Sequence, residues 1–286
     1  MQQRSVGDVR VGAVGLGAMP MSVPGRPDRD RAIATIHAAL DAGVTLVDTA
    51  DAYHLDASDP GHNEELVAEA LASHPAGGDV LVATKGGHTR PGGTWALDGR
   101  PEHLVAAAKE SARRLRVDAI GLYQLHRPDP EVPFAESVGA LADLLDAGVI
   151  AMAGVSNVSI AQIEEADEVL GGRLASVQNE FSPAFLSSRG ELEHCAARGI
   201  AFLPWSPFGG ISKAGDLGSE HSEFQRLAEA RGVSAHRIAL AWHLQLAPVV
   251  VPIPGASRPE SITDSAAAAD LDLSDDEVRA IEESLA

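Results

Sequence analysis

The chain has 286 residues, 45% of them hydrophobic, and its 41 acidic side chains outnumber 22 basic ones for a formal net charge of −19. This length accommodates one α/β barrel or two smaller domains with a full core. The acidic balance argues against nucleic acid and anionic membrane as partners, and a single cysteine, Cys195, excludes an intramolecular disulfide.

In chain order, residues 4–11 predict a short hairpin. Apolar runs then predict eight buried strands at 13–17, 44–48, 80–85, 119–125, 149–155, 174–179, 200–205 and 248–253. Helical patterns alternate with them near 29–42, 63–73, 101–115, 135–147, 159–170, 189–198, 222–245 (broken at Gly232) and 259–268. Ser234 is placed to cap the second half of the broken helix. A last amphipathic helix starts at the capping box Ser274-Asp275-Asp276-Glu277. Three junctions repeat one design, in which a helix stops at Gly43, Gly148 or Gly199 and a strand begins at once. The alternation predicts an α/β fold, a (β/α)8 TIM barrel with a short N-terminal hairpin and a C-terminal helix, in a single domain over 1–286. Residues 12–17 are glycine-rich, but their spacing is G-x-x-G-x-G and Met19-Pro20 follows, which argues against a Rossmann phosphate loop. No apolar run reaches the ~20 residues of a membrane span and no signal-type apolar segment opens the sequence, so the expected location is cytoplasmic.

Four polar residues stand where such a barrel carries chemistry. Asp48, Lys85 and His126 each end a predicted strand, and Tyr53 lies one short loop after the first of these. Only three lysines occur, Lys85, Lys109 and Lys213, so one at the tip of a buried strand is informative. A cation beside Tyr53 favours phenolate and is expected to lower its pKa. Asp48 is expected to pair with Lys85 and limit the cost of a buried ammonium. His126 is expected to donate to a substrate oxygen. Together the four suit one task, moving a proton at an oxygen while hydride moves at the adjacent carbon. The histidines are scattered, with no H-x-H or H-E-x-x-H, and no G-x-S-x-G elbow occurs, so a metal site and a serine hydrolase are not expected.

The chain resembles the aldo-keto reductase family nearly end to end. The matching motifs are Gly15-Leu16-Gly17-Ala18-Met19, Asp48-Thr49-Ala50-Asp51-Ala52-Tyr53, Asn63-Glu64, Thr84-Lys85-Gly86-Gly87, Tyr123-Gln124-Leu125-His126-Arg127-Pro128-Asp129, Gly154-Val155-Ser156-Asn157, Val177-Gln178-Asn179-Glu180, Ser206-Pro207-Phe208-Gly209-Gly210 and Ile253-Pro254-Gly255. The resemblance implies reduction of a small aldehyde or ketone by NADPH, with Tyr53 as general acid, Lys85 and Asp48 tuning it and His126 orienting the carbonyl. It implies that Ser156, Asn157 and Gln178 hold the nicotinamide carboxamide, with Asp48, Ala18 and Met19 near the cofactor. Trp205 would stack on the ring, and Ser206, Pro207, Phe208, Gly209 and Gly210 would wrap the pyrophosphate. Gly255, Ser257 and Arg258 would meet the adenosine 2′-phosphate, and Asp264 and Ser265 stand where relatives contact adenine. Here the sequence departs from one form of the pattern: a lysine-serine pair is Gly255-Ala256, and Ser261 replaces an arginine, which leaves Arg258 as the obvious cation.

The expected substrate pocket comprises Met21, His54, His88, Trp95 and Arg127, together with Trp205. Residues 86–100, with five glycines, read as a loop costly to order. The expected partner is a small carbonyl compound, the expected cofactor NADP(H), and the expected state a monomer. The rival reading is a nucleotide-sensing binding module with slow turnover, like barrel subunits attached to some channels.

Overall fold

The computed structural model describes residues 1–285. The chain opens on an antiparallel hairpin of β1 (Gln3–Val6) and β2 (Val9–Gly12). Next come β3 (Leu16–Gly17), α1 (Arg29–Asp41), β4 (Leu46–Asp48), α2 (His62–Ala72) and β5 (Leu81–Gly86). A second small hairpin, β6 (His88–Thr89) and β7 (Ala96–Leu97), precedes α3 (Pro101–Leu115). Then β8 (Leu122–Leu125), α4 (Phe134–Asp146), β9 (Ala153–Ser156), α5 (Ile160–Val169), β10 (Leu174–Gln178), α6 (Arg189–Arg198) and β11 (Ala201–Phe202) alternate. The chain ends with α7 (Leu217–Glu220), α8 (Ser222–Arg231), α9 (Ala235–Leu246), α10 (Pro259–Ala266) and α11 (Asp275–Leu285). The seven strands β3, β4, β5, β8, β9, β10 and β11 pair in that order, and every pairing is parallel.

The expected eighth strand forms no regular ladder. Residues 248–255 nonetheless lie between β11 and β3 and close the curled sheet. On one side the Phe202 N–H donates to Val249 O and the Val251 N–H donates to Phe202 O, each at 2.9 Å. On the other, Gly15 N–H donates to Pro252 O and Gly17 N–H to Pro254 O, also at 2.9 Å. Pro252 and Pro254 accept but cannot donate, so the ladder loses alternate bonds along this seam. The strands expected at 13–17 and 200–205 border it and shrink to two residues each. Gly17 permits the close approach, because a Cβ there would lie 2.9 Å from Ile253 O.

Elsewhere the local signals act as read. At the capping box read at Ser274, the Glu277 N–H donates to Ser274 Oγ at 3.3 Å and the Ser274 N–H donates to Glu277 Oε2 at 2.7 Å; a box that was not anticipated, Ser159 with Gln162, caps α5 in the same way. Ser234 accepts from Arg237 N–H at the start of α9. The helix-to-strand junctions turn at Gly43, Gly148 and Gly199 with φ of 87°, 68° and 72°. Cys195 is buried on α6, and burial pushes its thiol up to about 12, which makes it unreactive.

The two-residue period of the strands separates two sets of side chains. Val47, Tyr123, Leu125, Val155, Val177, Phe202 and Val250 face out and pack under the helices. Leu46, Leu81, Ala83, Leu122, Ala201, Leu203, Val251 and Ile253 face in and form the barrel core with Val6 and Val11 of the first hairpin. That hairpin plugs the N-terminal end. Continuing the inward positions toward the C-terminal end brings Asp48, Lys85, Gln124, His126, Ser156, Gln178 and Trp205 to one place. The core is thus apolar at one end of the barrel and polar at the other.

Candidate active site

Lys85 follows Leu81 and Ala83 on the inward face of β5 and is wholly buried. Its ammonium donates to Asp48 Oδ1 at 2.5 Å, to the Thr49 carbonyl at 2.9 Å and to the Tyr53 hydroxyl at 3.2 Å. Three protons meet three acceptors, so the buried charge is fully used. Asp48 Oδ2 accepts from Gln178 Nε2 at 2.8 Å and from Gln124 Nε2 at 3.5 Å. Burial alone depresses the Lys85 pKa, but the Asp48 carboxylate and Tyr53 outweigh it and the net shift is upward. Lys85 is therefore a permanent cation.

The expectation for Tyr53 requires correction. Burial pushes the phenol pKa above its ordinary value of 10, and the Lys85 charge opposes this without reversing it. Tyr53 is a neutral acid at neutral pH with a cation against its oxygen. The His126 ring stands edge-on to Tyr53, with centroids 5.6 Å apart. Burial first, then Lys85, the adjacent His88 ring and Arg127, hold the His126 imidazole well below 6.5, so it is neutral. Its buried Nδ1 has no partner among the described residues.

The glycine-rich segment 86–100 is a built wall. Antiparallel pairing of His88 with Leu97 and Thr89 with Ala96 orders it. Arg90 fastens its tip, donating to Gly93 O at 2.7 Å and to Leu55 O at 3.3 Å and lying 4.2 Å from the centre of the Trp95 ring. These bonds set His88 against His126, centroids 4.3 Å apart, and Trp95 edge-on to Tyr53 at 6.5 Å.

A cavity of about 780 Å³ opens over this cluster. Asp48, Tyr53, His88, Trp95, His126 and Arg127 line it near the barrel axis, and Ser156, Asn157, Gln178 and Trp205 line it alongside. It continues past Ser206, Pro207, Phe208 and Gly210 to Gly255, Ser257, Arg258 and Ser261 at the N-terminus of α10. Asn157 and Ser206, two of the three non-glycine residues with positive φ among the described residues (61° and 50°), both lie on its wall. Backbone strain of this kind concentrates at functional sites. Asn157 is held there by Nδ2 bonds to His126 O and Ser156 Oγ, each 3.0 Å.

Some expected residues lie elsewhere. Met21 is buried in the core among Leu16, Ile36 and Leu66, because the single turn over residues 19–21 directs it toward α1 and α2. His54 is buried outside the cavity, with Nδ1 2.7 Å from Asp56 O. Asp264 does not reach the cavity; its carboxylate joins α10 to α9 through Arg237 at 2.5 Å and Ser234. Ser265 is buried beside it and also lies off the wall. Ala18 and Gly209 are chain neighbours of lining residues and not lining themselves. Two contributors were not anticipated, Gln124 and the carbonyl of Thr49. Gln124 was findable, since it shares the inward face of β8 with Leu122. Asn63 holds the Thr49 loop from behind, accepting from Thr49 Oγ1 at 2.6 Å and donating to Ala18 O at 2.9 Å. Among the described residues no cluster of histidine, cysteine or carboxylates is placed to hold a metal, and no helix is long and apolar enough to cross a membrane.

The model of the Aldo/keto reductase family matches residues 13–286. The chain belongs to the aldo/keto reductase family. This aldo/keto reductase is 34% identical to a 6-dehydroglucose reductase of Novosphingobium aromaticivorans, over 91% of its own length and 87% of that protein's. Among solved structures it resembles the glycerol dehydrogenase of Gluconobacter oxydans, with TM-score 0.84 and 30% identity over 99% of this chain and 94% of that one. It also resembles an aldo/keto reductase of Klebsiella pneumoniae in complex with NADP and acetate, with TM-score 0.81 and 26% identity over 99% and 95% of the two chains.

Proposed function

We propose that the protein reduces a small aldehyde or ketone with NADPH, Tyr53 serving as general acid. The observation that carries this reading is the Tyr53 hydroxyl on the cavity wall, held at 3.2 Å by a fully paired Lys85 buried behind it. In the reaction RCHO + NADPH + H⁺ gives RCH₂OH + NADP⁺, and NADPH when bound supplies the hydride that reaches the carbonyl carbon. The residues of this chain manage the oxygen. Tyr53 gives its phenolic proton to the developing alkoxide, and the Lys85 ammonium stabilises the phenolate left behind. Neutral His126 can donate one hydrogen bond to the same oxygen without repelling Lys85. Asp48 keeps Lys85 charged and in place.

The cavity suits a dinucleotide. Ser156, Asn157 and Gln178 present amide and hydroxyl groups beside the catalytic cluster, as a carboxamide requires. Trp205 offers a half-buried aromatic face, and its buried Nε1 has no partner among the described residues. Ser206, Gly209 and Gly210 all have positive φ, a backbone shape that turns successive N–H groups toward an anion. The first turn of α10 has no side-chain cap, and Ser257, Arg258 and Ser261 border it, as suits a 2′-phosphate. Arg258 is exposed, with Nε 3.2 Å from Ser261 Oγ.

The purified protein should oxidise NADPH when an aldehyde is added; binding of NADPH without turnover across a broad aldehyde panel would instead support the nucleotide-sensing reading. Arg258→Ala should weaken NADPH by about 1–2 kcal/mol and leave NADH nearly unchanged, the scale of a charged hydrogen bond reduced by solvent. Equal weakening of both cofactors in a titration would remove Arg258 from the 2′-phosphate.

A further inference from the structure

The reacting end of the cavity carries a free cation in a chain that is acidic as a whole. Acidic residues outnumber basic ones 41 to 22, yet Arg127, on the cavity wall one residue after His126, makes no hydrogen bond or ion pair among the described residues. Two nearby carboxylates are committed elsewhere. Asp48 is bound to Lys85 and Gln178. Asp129 accepts from the N–H groups of Gly99 and Glu131. Glu180, off the cavity wall, acts on Arg127 through space but forms no ion pair or hydrogen bond with it. Arg90, the other cation on this side, has its guanidinium spent on the carbonyls of Gly93 and Leu55.

The other side chains that line this end of the cavity offer an anion no net charge. Lys85 and Asp48 cancel. Burial holds both His88 and His126 below the ordinary histidine value, and the surrounding charges that reinforce this in both are positive. One exposed guanidinium without a hydrogen-bonded or ion-paired partner among the described residues therefore remains beside the groups that bind the carbonyl. A planar fork of N–H donors matches the two oxygens of a carboxylate or phosphoryl group. Trp95 and Trp205 line the same cavity and give the uncharged part of such a substrate apolar surface to lie on. Distant acidic residues oppose an anion only weakly, since salt screens charges beyond about 10 Å at 0.1 M.

We propose that Arg127 makes this site selective for carbonyl substrates bearing an anionic group, a carboxylate or a phosphoryl group, with the carbonyl oxygen at Tyr53 and His126 and the anion on the guanidinium. The inference rests on the reductase reading above, and the anion is unchanged by the reaction.

The test compares kcat/KM for matched pairs with NADPH: succinic semialdehyde against butanal, and glyceraldehyde 3-phosphate against glyceraldehyde. At least one anionic member should exceed its neutral partner by about tenfold or more, the scale of one partly screened charged hydrogen bond. The pair that shows the preference identifies carboxylate or phosphate as the recognised group. In Arg127→Gln that ratio should fall toward one, Arg127→Lys should restore part of it, and the NADPH dissociation constant should not move. Ratios near one in both wild-type pairs, or a ratio unchanged in Arg127→Gln, overturn the proposal while leaving the reductase reading intact. Weakened NADPH binding in Arg127→Gln also overturns it, by assigning the guanidinium to the cofactor. Absence of turnover with all four compounds overturns this inference, and absence of turnover across the broad aldehyde panel overturns the reductase reading as well.

Discussion

Tyr53→Phe is expected to bind NADPH as the wild type does while kcat for carbonyl reduction falls by roughly 10²-fold or more. The substitution removes one oxygen and keeps the ring, so the edge contacts with His126 and Trp95 survive. Only the proton donor is lost. The same geometry sets a pH profile for the wild type. Reduction needs the phenol protonated, and burial raises the Tyr53 pKa, so activity should decline on the alkaline side only above pH 10. On the acid side His126 becomes a cation only well below pH 6.5, so reduction should be level between these limits. Near-wild-type kcat in the phenylalanine variant would take the acid role from Tyr53. A fall in activity centred near pH 7 would show that burial does not set the titrating group.

Much of this site was legible in the sequence because a strand's period is two. Once 44–48, 80–85 and 119–125 are strands, Asp48, Lys85 and His126 are forced to the same end, and Leu46, Ala83 and Leu122 to the core beneath them. The junction glycines and the caps at Ser234 and Ser274 are local signals with local consequences, and with the apolar pattern they placed the helices within a residue or two. What failed depended on direction or on distant partners. Nothing in the residues around Met21 says that its side chain turns toward α1 and not the cavity. Asp264 sits beside Ser265 in sequence, but Arg237 on another helix decides where its carboxylate points. The five glycines of 86–100 read as costly to order, while the bonds that order them come from Arg90 and from Leu55, on a different loop. The irregular eighth strand was visible in principle, since Pro252 and Pro254 cannot donate to a ladder. The sign of the Tyr53 shift was not readable, because it weighs burial against one cation and burial is a property of the whole barrel.

Lys85→Met is expected to be the most damaging single change at this site, lowering stability by about 3–5 kcal/mol, the cost of leaving a buried charge unpaired. Methionine approximates the length of the lysine stem, so the loss is electrostatic and not a cavity. Asp48 Oδ1 loses its donor, and the carboxylate keeps only the two amides on Oδ2. The Thr49 carbonyl also loses its donor, and the phenol of Tyr53 loses its cation. Carbonyl reduction should therefore fall at least as far as in Tyr53→Phe. The double variant Lys85→Met with Asp48→Asn separates the two effects. It removes both members of the pair, so much of the lost stability should return, while the phenol still lacks its cation and activity stays low. Urea unfolding and single-turnover oxidation of NADPH measure the two quantities independently. A single variant with a wild-type unfolding midpoint would show that the pair is not a buried charge of the cost assigned here. Recovery of turnover in the double variant would show that Tyr53 can act without Lys85.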